Sequence, residues 1–387
     1  MQEGARYQYL ILSFLALSSF LFITLLSRQL LTCSSSVDIS TPQIPTPIQN
    51  ATTNSAEVSR ETVQEYKPAK IEKYIMDHLV ELGMDNDVRG QARNIKGCAI
   101  WQDPKVAPEI YDDLQSFREE LNNYYKEINE FEPIPDLMTS IRETNSHDVC
   151  KKARIHEEGL QGLFPGGQLS ESSSGGFIEP LYMPMRHPNH CFWAAPEDMA
   201  YFIHDFEEIC RTLKPTSRRV LIDIGASFSM HDKIVPIVWL LELYKKFGFT
   251  FDHIYGFELT PTNTSDFYNE LLPDEFMASY HWINTAVTSE IGHKLNPLDS
   301  IVRKFNKDDF IIVKLDIDHY DTEIPLAKQL LSDESLHELV DHFYFENHVI
   351  MDEMGAWWTN TMKGSVKSSF DLFYGLREKG VSSHFWI

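Results

Sequence analysis

Arg218-Arg219-Val220-Leu221-Ile222-Asp223-Ile224-Gly225-Ala226-Ser227-Phe228-Ser229 is the stretch that decides how this chain folds. Its apolar run has the pattern of a buried strand, and Asp223-Ile-Gly225 brings it into a turn of small residues. A helical stretch, Asp232 to Phe247, follows. Strand, tight turn and helix make a place where backbone N–H groups and a helix N-terminus can approach a ligand closely. The next strand, His253 to Phe257, ends in Glu258, an acid placed to accept hydrogen bonds from both hydroxyls of a ribose, as in dinucleotide enzymes.

Reading onward, Trp282 to Thr288 is a third strand, and Leu298-Asp299-Ser300 opens a helix. Asp309 to Asp318 is a fourth strand whose Lys314, Asp316 and Asp318 alternate onto one face. A fifth, His342 to Phe345, runs into Glu346-Asn347-His348. The aromatic-rich end, Asp371 to Ile387, reads as a last helix and an edge strand that close the sheet. Strands alternating with helices in this order predict an α/β domain over residues 218–387.

With these motifs in order, the chain resembles the FkbM-type methyltransferases. Asp223-Ile-Gly225-Ala226-Ser-Phe-Ser229 is similar to the family's D-x-G-A-x-x-G, and Glu258 to its second-strand acid. Asn284-Thr285-Ala286-Val287 is similar to its N-x-A-V, and Leu298-Asp299 to its L-D. Lys314-Leu-Asp316-Ile-Asp318-His319-Tyr320-Asp321 is similar to K-x-D-x-E-G-x-E, and Glu346-Asn347-His348 to the closing E-x-H. The resemblance implies a Rossmann-like methyltransferase fold, a mostly parallel sheet with flanking helices. It implies S-adenosylmethionine as cofactor, no metal, and methylation of a hydroxyl oxygen. The cofactor-binding positions it implies are Asp223, Gly225, Ala226, Ser227, Ser229, Glu258, Asn284 and Ala286. Two positions depart from the family: Ser229 replaces a glycine, and Asp318-His319 replaces Glu-Gly.

Methyl transfer is an in-line displacement, so the protein chiefly aligns donor and acceptor, and a base takes the acceptor's proton. His348 is the first candidate because an imidazole titrates near neutrality. Asp316 and Asp318 are alternatives, with Lys314 orienting them or binding an acidic substrate. Two rivals stand beside this reading. Asp316-Ile-Asp318 also has the D-x-D pattern that holds Mg²⁺ or Mn²⁺ against a nucleotide-sugar, which would make the protein a glycosyltransferase. Ser229 and His319 fit a scaffold that keeps the fold without activity.

Upstream, residues 66–217 read as a helical and loop-rich region. Lys70 to Leu82 and Pro108 to Phe131 have helical apolar spacing. In the second, Ile110, Leu114, Phe117, Leu121, Tyr124 and Ile128 form one stripe, fit either for packing on a neighbouring domain or for a coiled-coil seam. Gly159 to Cys191, rich in Gly, Ser and Pro, reads as an irregular lid, binding loop or linker. In it His187, His190 and Cys191 have metal-compatible spacing, against a packed loop with a disulfide cysteine. Glu197 to Leu213 reads as a helix. Cys98, Cys150, Cys191 and Cys210 allow three pairings, and one or two disulfides are expected.

Of the 387 residues, the first six read as a short cytoplasmic tail, and 7–27, uncharged and apolar, as a transmembrane helix. No A-x-A pattern follows, which favours an uncleaved signal anchor over a cleaved signal peptide. Residues 28–65, rich in Ser, Thr, Pro and Asn, read as a flexible stem. Asn50-Ala-Thr52 and Asn263-Thr-Ser265 are glycosylation sequons. The layout is that of a single-pass type II protein of the Golgi or endoplasmic reticulum, its catalytic domain lumenal, and the expected acceptor is a glycan or a small molecule. A net charge of −23 without a basic run excludes nucleic acid as a partner. Oligomeric state is not encoded in any pattern here.

Overall fold

Six short strands order the fold: β1 (Arg219–Ile224), β2 (His253–Phe257), β3 (Tyr280–Ile283), β4 (Phe310–Leu315), β5 (His342–Phe345) and β6 (Ser382–Phe385). They lie side by side as β3-β2-β1-β4-β5-β6, and all five pairings are parallel. The chain winds outward from β1 to β3, then returns to the other side of β1 and winds outward again. The direction therefore reverses between β1 and β4, and in open α/β sheets ligands bind outside the carboxyl ends of the strands at such a point. β1 and β4 are buried at every residue, as strands covered on both faces must be.

This is a computed structural model, and it describes residues 65–387 except 86, 88–96, 184–187, 193–198, 228–234, 262, 352–360 and 387. The tail, the anchor and nearly all of the stem lie outside the described residues, as do Asn50, His187 and Ser229. Among the described residues no helix is long and apolar enough to cross a membrane.

The longer helices are α1 (Lys70–Asp77), α2 (Tyr111–Glu130), α3 (Leu137–Thr144), α4 (Phe206–Thr212), α5 (Pro236–Lys246), α6 (Tyr320–Ser332) and α7 (Val366–Glu378). The stripe of α2 is buried in the chain's own core rather than presented as a seam. Phe117 packs on Phe164 and Tyr182, and the Tyr124 hydroxyl accepts a hydrogen bond from His204 N at 3.2 Å. The expected helix from Glu197 is shorter, because the Asp205 side chain accepts from Glu208 N and starts it at Phe206. Two disulfides close, Cys98–Cys191 and Cys150–Cys210. The first removes Cys191 from any metal set with His187 and His190.

The glycine-rich segment is neither lid nor linker. Ser170–Glu171 pairs antiparallel with Phe177–Ile178, and Ile178 to Met183 are buried. Buried charge fastens it: the Arg377 guanidinium on α7 donates to Glu72 Oε2 at 3.2 Å and to the Glu179 carbonyl at 2.9 Å. Glu72 also accepts from Tyr66 Oη and Leu181 N. Residues on either side of 217 thus share one core, within a compact unit that runs from Arg60 to Ile387.

Three buried histidines lie in this junction. Glu179 Oε1 is 2.7 Å from His384 Nδ1, and His384 Nε2 is 3.1 Å from His342 Nδ1, with the two rings within 7° of coplanar. The facing nitrogens of His342 and His384 are within reach of one shared proton. Burial holds His204, His342 and His384 well below the ordinary histidine range, helped for His342 by His384 and for His384 by Arg377. All three rings are expected to be neutral at pH 6.5, where an ordinary imidazole is half-protonated, as read from imidazole ¹⁵N shifts. A ring that titrates near 6.5 would refute this. Whatever stability their neutral form contributes is present above about pH 6.5 and is lost as pH falls below it. Glu179 and Asp341, pushed up by burial to about 8 and about 7, run in the opposite direction, so the rings rather than global stability are the readout.

Candidate functional site

β1 hands over to the site at Gly225, whose φ of +97° is open to glycine and strained for other residues. A Cβ there would lie 1.5 Å from the Asp316 carbonyl oxygen at the end of β4, so the two strand ends are in backbone contact. Gly225 N and Ala226 N both donate to the Phe257 carbonyl, at 2.9 and 2.8 Å, drawing the turn onto the end of β2. A cleft of about 520 Å³ opens above these ends. Gly225, Ser227, Glu258, Ala286, Asp316 and Asp318 line it, and so do Leu259, Thr285, His319 and Thr322, to which no sequence motif assigned a role.

Several other expected site residues do not line the cleft. Asp223 is fully buried and Ala226 nearly so. Asn284 spends its amide on the loop after β2, donating to the Glu258 carbonyl at 2.7 Å and to the Thr260 carbonyl at 3.2 Å. It therefore fixes the loop that carries Glu258 rather than facing the cleft. This ends β3 at Ile283, five residues before the expected Thr288. Glu258 in turn accepts from Thr260 N at 2.6 Å through Oε1.

Lys314 is saturated. Its ammonium donates to the Gly225 carbonyl at 2.7 Å and lies 3.0 Å from both Asp223 Oδ1 and Asp316 Oδ2. These contacts tie β1 to β4 and set Lys314 against Asp316, the orienting one of its two expected roles, and Lys314 is not among the residues that line the cleft. Burial opposes its charge, but the two carboxylates outweigh that and raise its pKa above the ordinary lysine value. Burial pushes Asp223 upward against the pull of Lys314.

Of the expected alternation, Lys314 and Asp316 share a face, their side chains 3.0 Å apart, but Asp318 does not follow, because β4 ends at Leu315. Asp316 N makes the last ladder bond, to the Ile224 carbonyl. Asp318 then adopts φ +55° and turns outward, its side chain 72% exposed at the cleft. The motif's closing acid also differs: Asp321 is exposed and pairs with Lys363 at 3.0 Å, whereas Glu323 is buried and accepts from Ile317 N at 2.8 Å. Burial lifts Glu323 to about 7.

At the end of β5, His348 is buried behind Asp318 and does not line the cleft. Its Nδ1 is 2.8 Å from Thr361 Oγ1, and its Nε2 is 3.0 Å from Glu346 Oε2 and 3.6 Å from Asp318 Oδ1. Burial, and then the neighbouring Asp316 charge, push Glu346 up to about 8, so at neutral pH it carries a proton that it shares with Asp316. Burial resists the charge on Asp316, but Lys314 and that hydrogen bond from Glu346 hold it below the ordinary range. Burial lowers and Glu346 raises the His348 pKa, and the net shift is upward.

Sequence reasoning misses Glu346 as a chemical group and Thr361 altogether. The E-x-H spacing is visible, but nothing local shows that Glu346 faces Asp316, which lies on another strand. The sequon residue Asn263 is exposed, its Oδ1 accepting from Ser265 N. No family model, no curated protein and no solved structure matches this chain.

Proposed function

We propose that the chain is an S-adenosylmethionine-dependent methyltransferase with a Rossmann-like domain, acting on a hydroxyl of a glycan or small-molecule acceptor at the lumenal face of a Golgi or endoplasmic reticulum membrane. One observation carries the reading: the cleft at the β1/β4 reversal is lined by both the glycine turn and Glu258. Its volume is in the usual range for small-molecule sites. S-adenosylmethionine, when bound, supplies a methyl group on a sulfonium. Glu258 is placed to accept from the ribose hydroxyls. The backbone at Gly225 leaves space above the turn, and Asp316 and Asp318 supply negative charge that complements a cationic donor.

On the acceptor side Asp318, rather than His348, is the carboxylate in reach of a hydroxyl proton. His348 acts behind it and orients it. The nucleotide-sugar reading has less support, because Lys314 engages Asp316 and only Asp318 of the D-x-D pair stands open. A scaffold without activity would leave the cleft without a ligand, and the binding experiment separates it.

Titration calorimetry of the folded chain with S-adenosylmethionine and S-adenosylhomocysteine is expected to give binding without added metal. Glu258→Ala is expected to weaken it about 10- to 100-fold through two lost hydrogen bonds, with the unfolding midpoint unchanged. If folded protein binds neither compound, the reading fails.

A further inference from the structure

We propose that Asp318, Glu346 and His348 hold one divalent cation at the acceptor end of the cleft. Each offers one ligand atom, and the three atoms lie within 4.8 Å of one another. His348 Nε2 stands 3.0 Å from Glu346 Oε2 and 3.6 Å from Asp318 Oδ1. Ligands bound at about 2.1 Å are separated by about 3.0 Å in an octahedral shell and about 3.4 Å in a tetrahedral one, so the Glu346–His348 spacing matches and the exposed Asp318 needs only a small inward shift.

Once the cation displaces the proton of Glu346, the donors are two carboxylates and one imidazole, a set suited to Mn²⁺, Fe²⁺ or Zn²⁺ more than to Ca²⁺. An independent contact points the same way. Thr361, from a different segment, sits 2.8 Å from His348 Nδ1 and turns the ring so that Nε2 faces both carboxylates. Metal-bound histidine commonly donates its other ring N–H to an outer acceptor, and the Thr361 hydroxyl oxygen is placed to accept it. A proton on Nε2 serves only the nearer carboxylate, since 3.6 Å exceeds hydrogen-bonding distance, whereas a cation serves all three groups. Asp316 is excluded from the set by Lys314, which distinguishes this site from a D-x-D pair.

Asp318 faces the cleft, so the cation keeps an open side toward the acceptor. Its role there rests on the methyltransferase reading, although its binding does not. A hydroxyl coordinated at that side is more acidic. Its O–H bond would break as the O–CH₃ bond forms and the S–CH₃ bond breaks, the proton leaving by way of Asp318 to solvent. The chemistry fits an acceptor with two neighbouring hydroxyls that both reach the cation, one of them reacting, as on a sugar ring.

The test is Mn²⁺ titration of the full chain, solubilised in detergent, followed by electron paramagnetic resonance and by water-proton relaxation. One site in the micromolar range with relaxation enhancement from an open position is expected. Asp318→Asn, an exposed substitution that leaves the core untouched, should weaken it at least tenfold. Glu346→Gln and His348→Gln should do the same, while Asp321→Asn, which removes an exposed carboxylate nearby, should leave it unchanged. Binding only at millimolar Mn²⁺, or binding indifferent to Asp318→Asn, overturns the proposal. Mn²⁺ bound without S-adenosylmethionine binding leaves this site standing and sinks the methyltransferase reading. The reverse result does the opposite.

Discussion

Gly225→Ala is expected to destabilise the fold by at least about 4 kcal/mol, among the largest losses a single methyl can cause. The added carbon meets a backbone oxygen, Asp316 O, at 1.5 Å, and no rotamer change relieves a clash with main chain. The φ of +97° adds the strain of a conformation that L side chains rarely adopt. Relief requires β1 and β4 to separate at the point where Lys314 joins them. Urea unfolding should show a lowered midpoint or no folded baseline, and a loss below about 1 kcal/mol would mean that the strand ends are not in contact. Gly225 substitutions are consequently poor probes of cofactor binding, and Glu258→Ala, at a partly exposed position, is the informative one.

Lys314→Met should cost about 3–5 kcal/mol, because it leaves the fully buried Asp223 and its neighbour Asp316 without their cation. The loss has a pH signature. With the lysine gone, the folded-state pKa of Asp223, already raised by burial, rises further above its unfolded value of about 3.9. A raised acid penalises the folded state as pH climbs above the unfolded pKa, so the defect should be largest at neutral pH and shrink as pH falls toward 4. Unfolding of wild type and variant at pH 7 and pH 4.5 measures this directly. A defect that does not change with pH would show that Lys314 contributes packing rather than charge. Charge removal here also separates support from catalysis: as a positioning residue, Lys314 should affect stability first and cofactor affinity only through the turn.

Much of the sheet is legible in the local pattern of residues. β1, β2, β4 and β5 are short apolar runs, each ending in Gly, Asp or Glu, and such runs read as buried strands with polar tips. The stripe from Ile110 to Ile128 identifies α2 because helical periodicity repeats over many residues. The errors fall where a long-range contact replaces local preference. Asn284 has the look of a strand residue, yet its amide is taken up by carbonyls 24 to 26 residues earlier. The segment from Gly159 to Cys191 has the composition of a mobile loop, but Arg377, nearly 200 residues later, anchors it through Glu179.

The sequence by itself determined the α/β alternation, the order of the motifs and the residue types at the strand tips, since periodicity and turn chemistry act over a few residues. Which of those tips face one another was decided by the tertiary structure alone. Asp316 pairs with Lys314 while Asp318 turns into the cleft, Glu346 shares a proton across strands, and His348 lies behind the wall rather than in it. These outcomes depend on burial and on distances between segments far apart in the chain. Both set the charge a carboxyl or imidazole carries, and neither is a property of the local sequence.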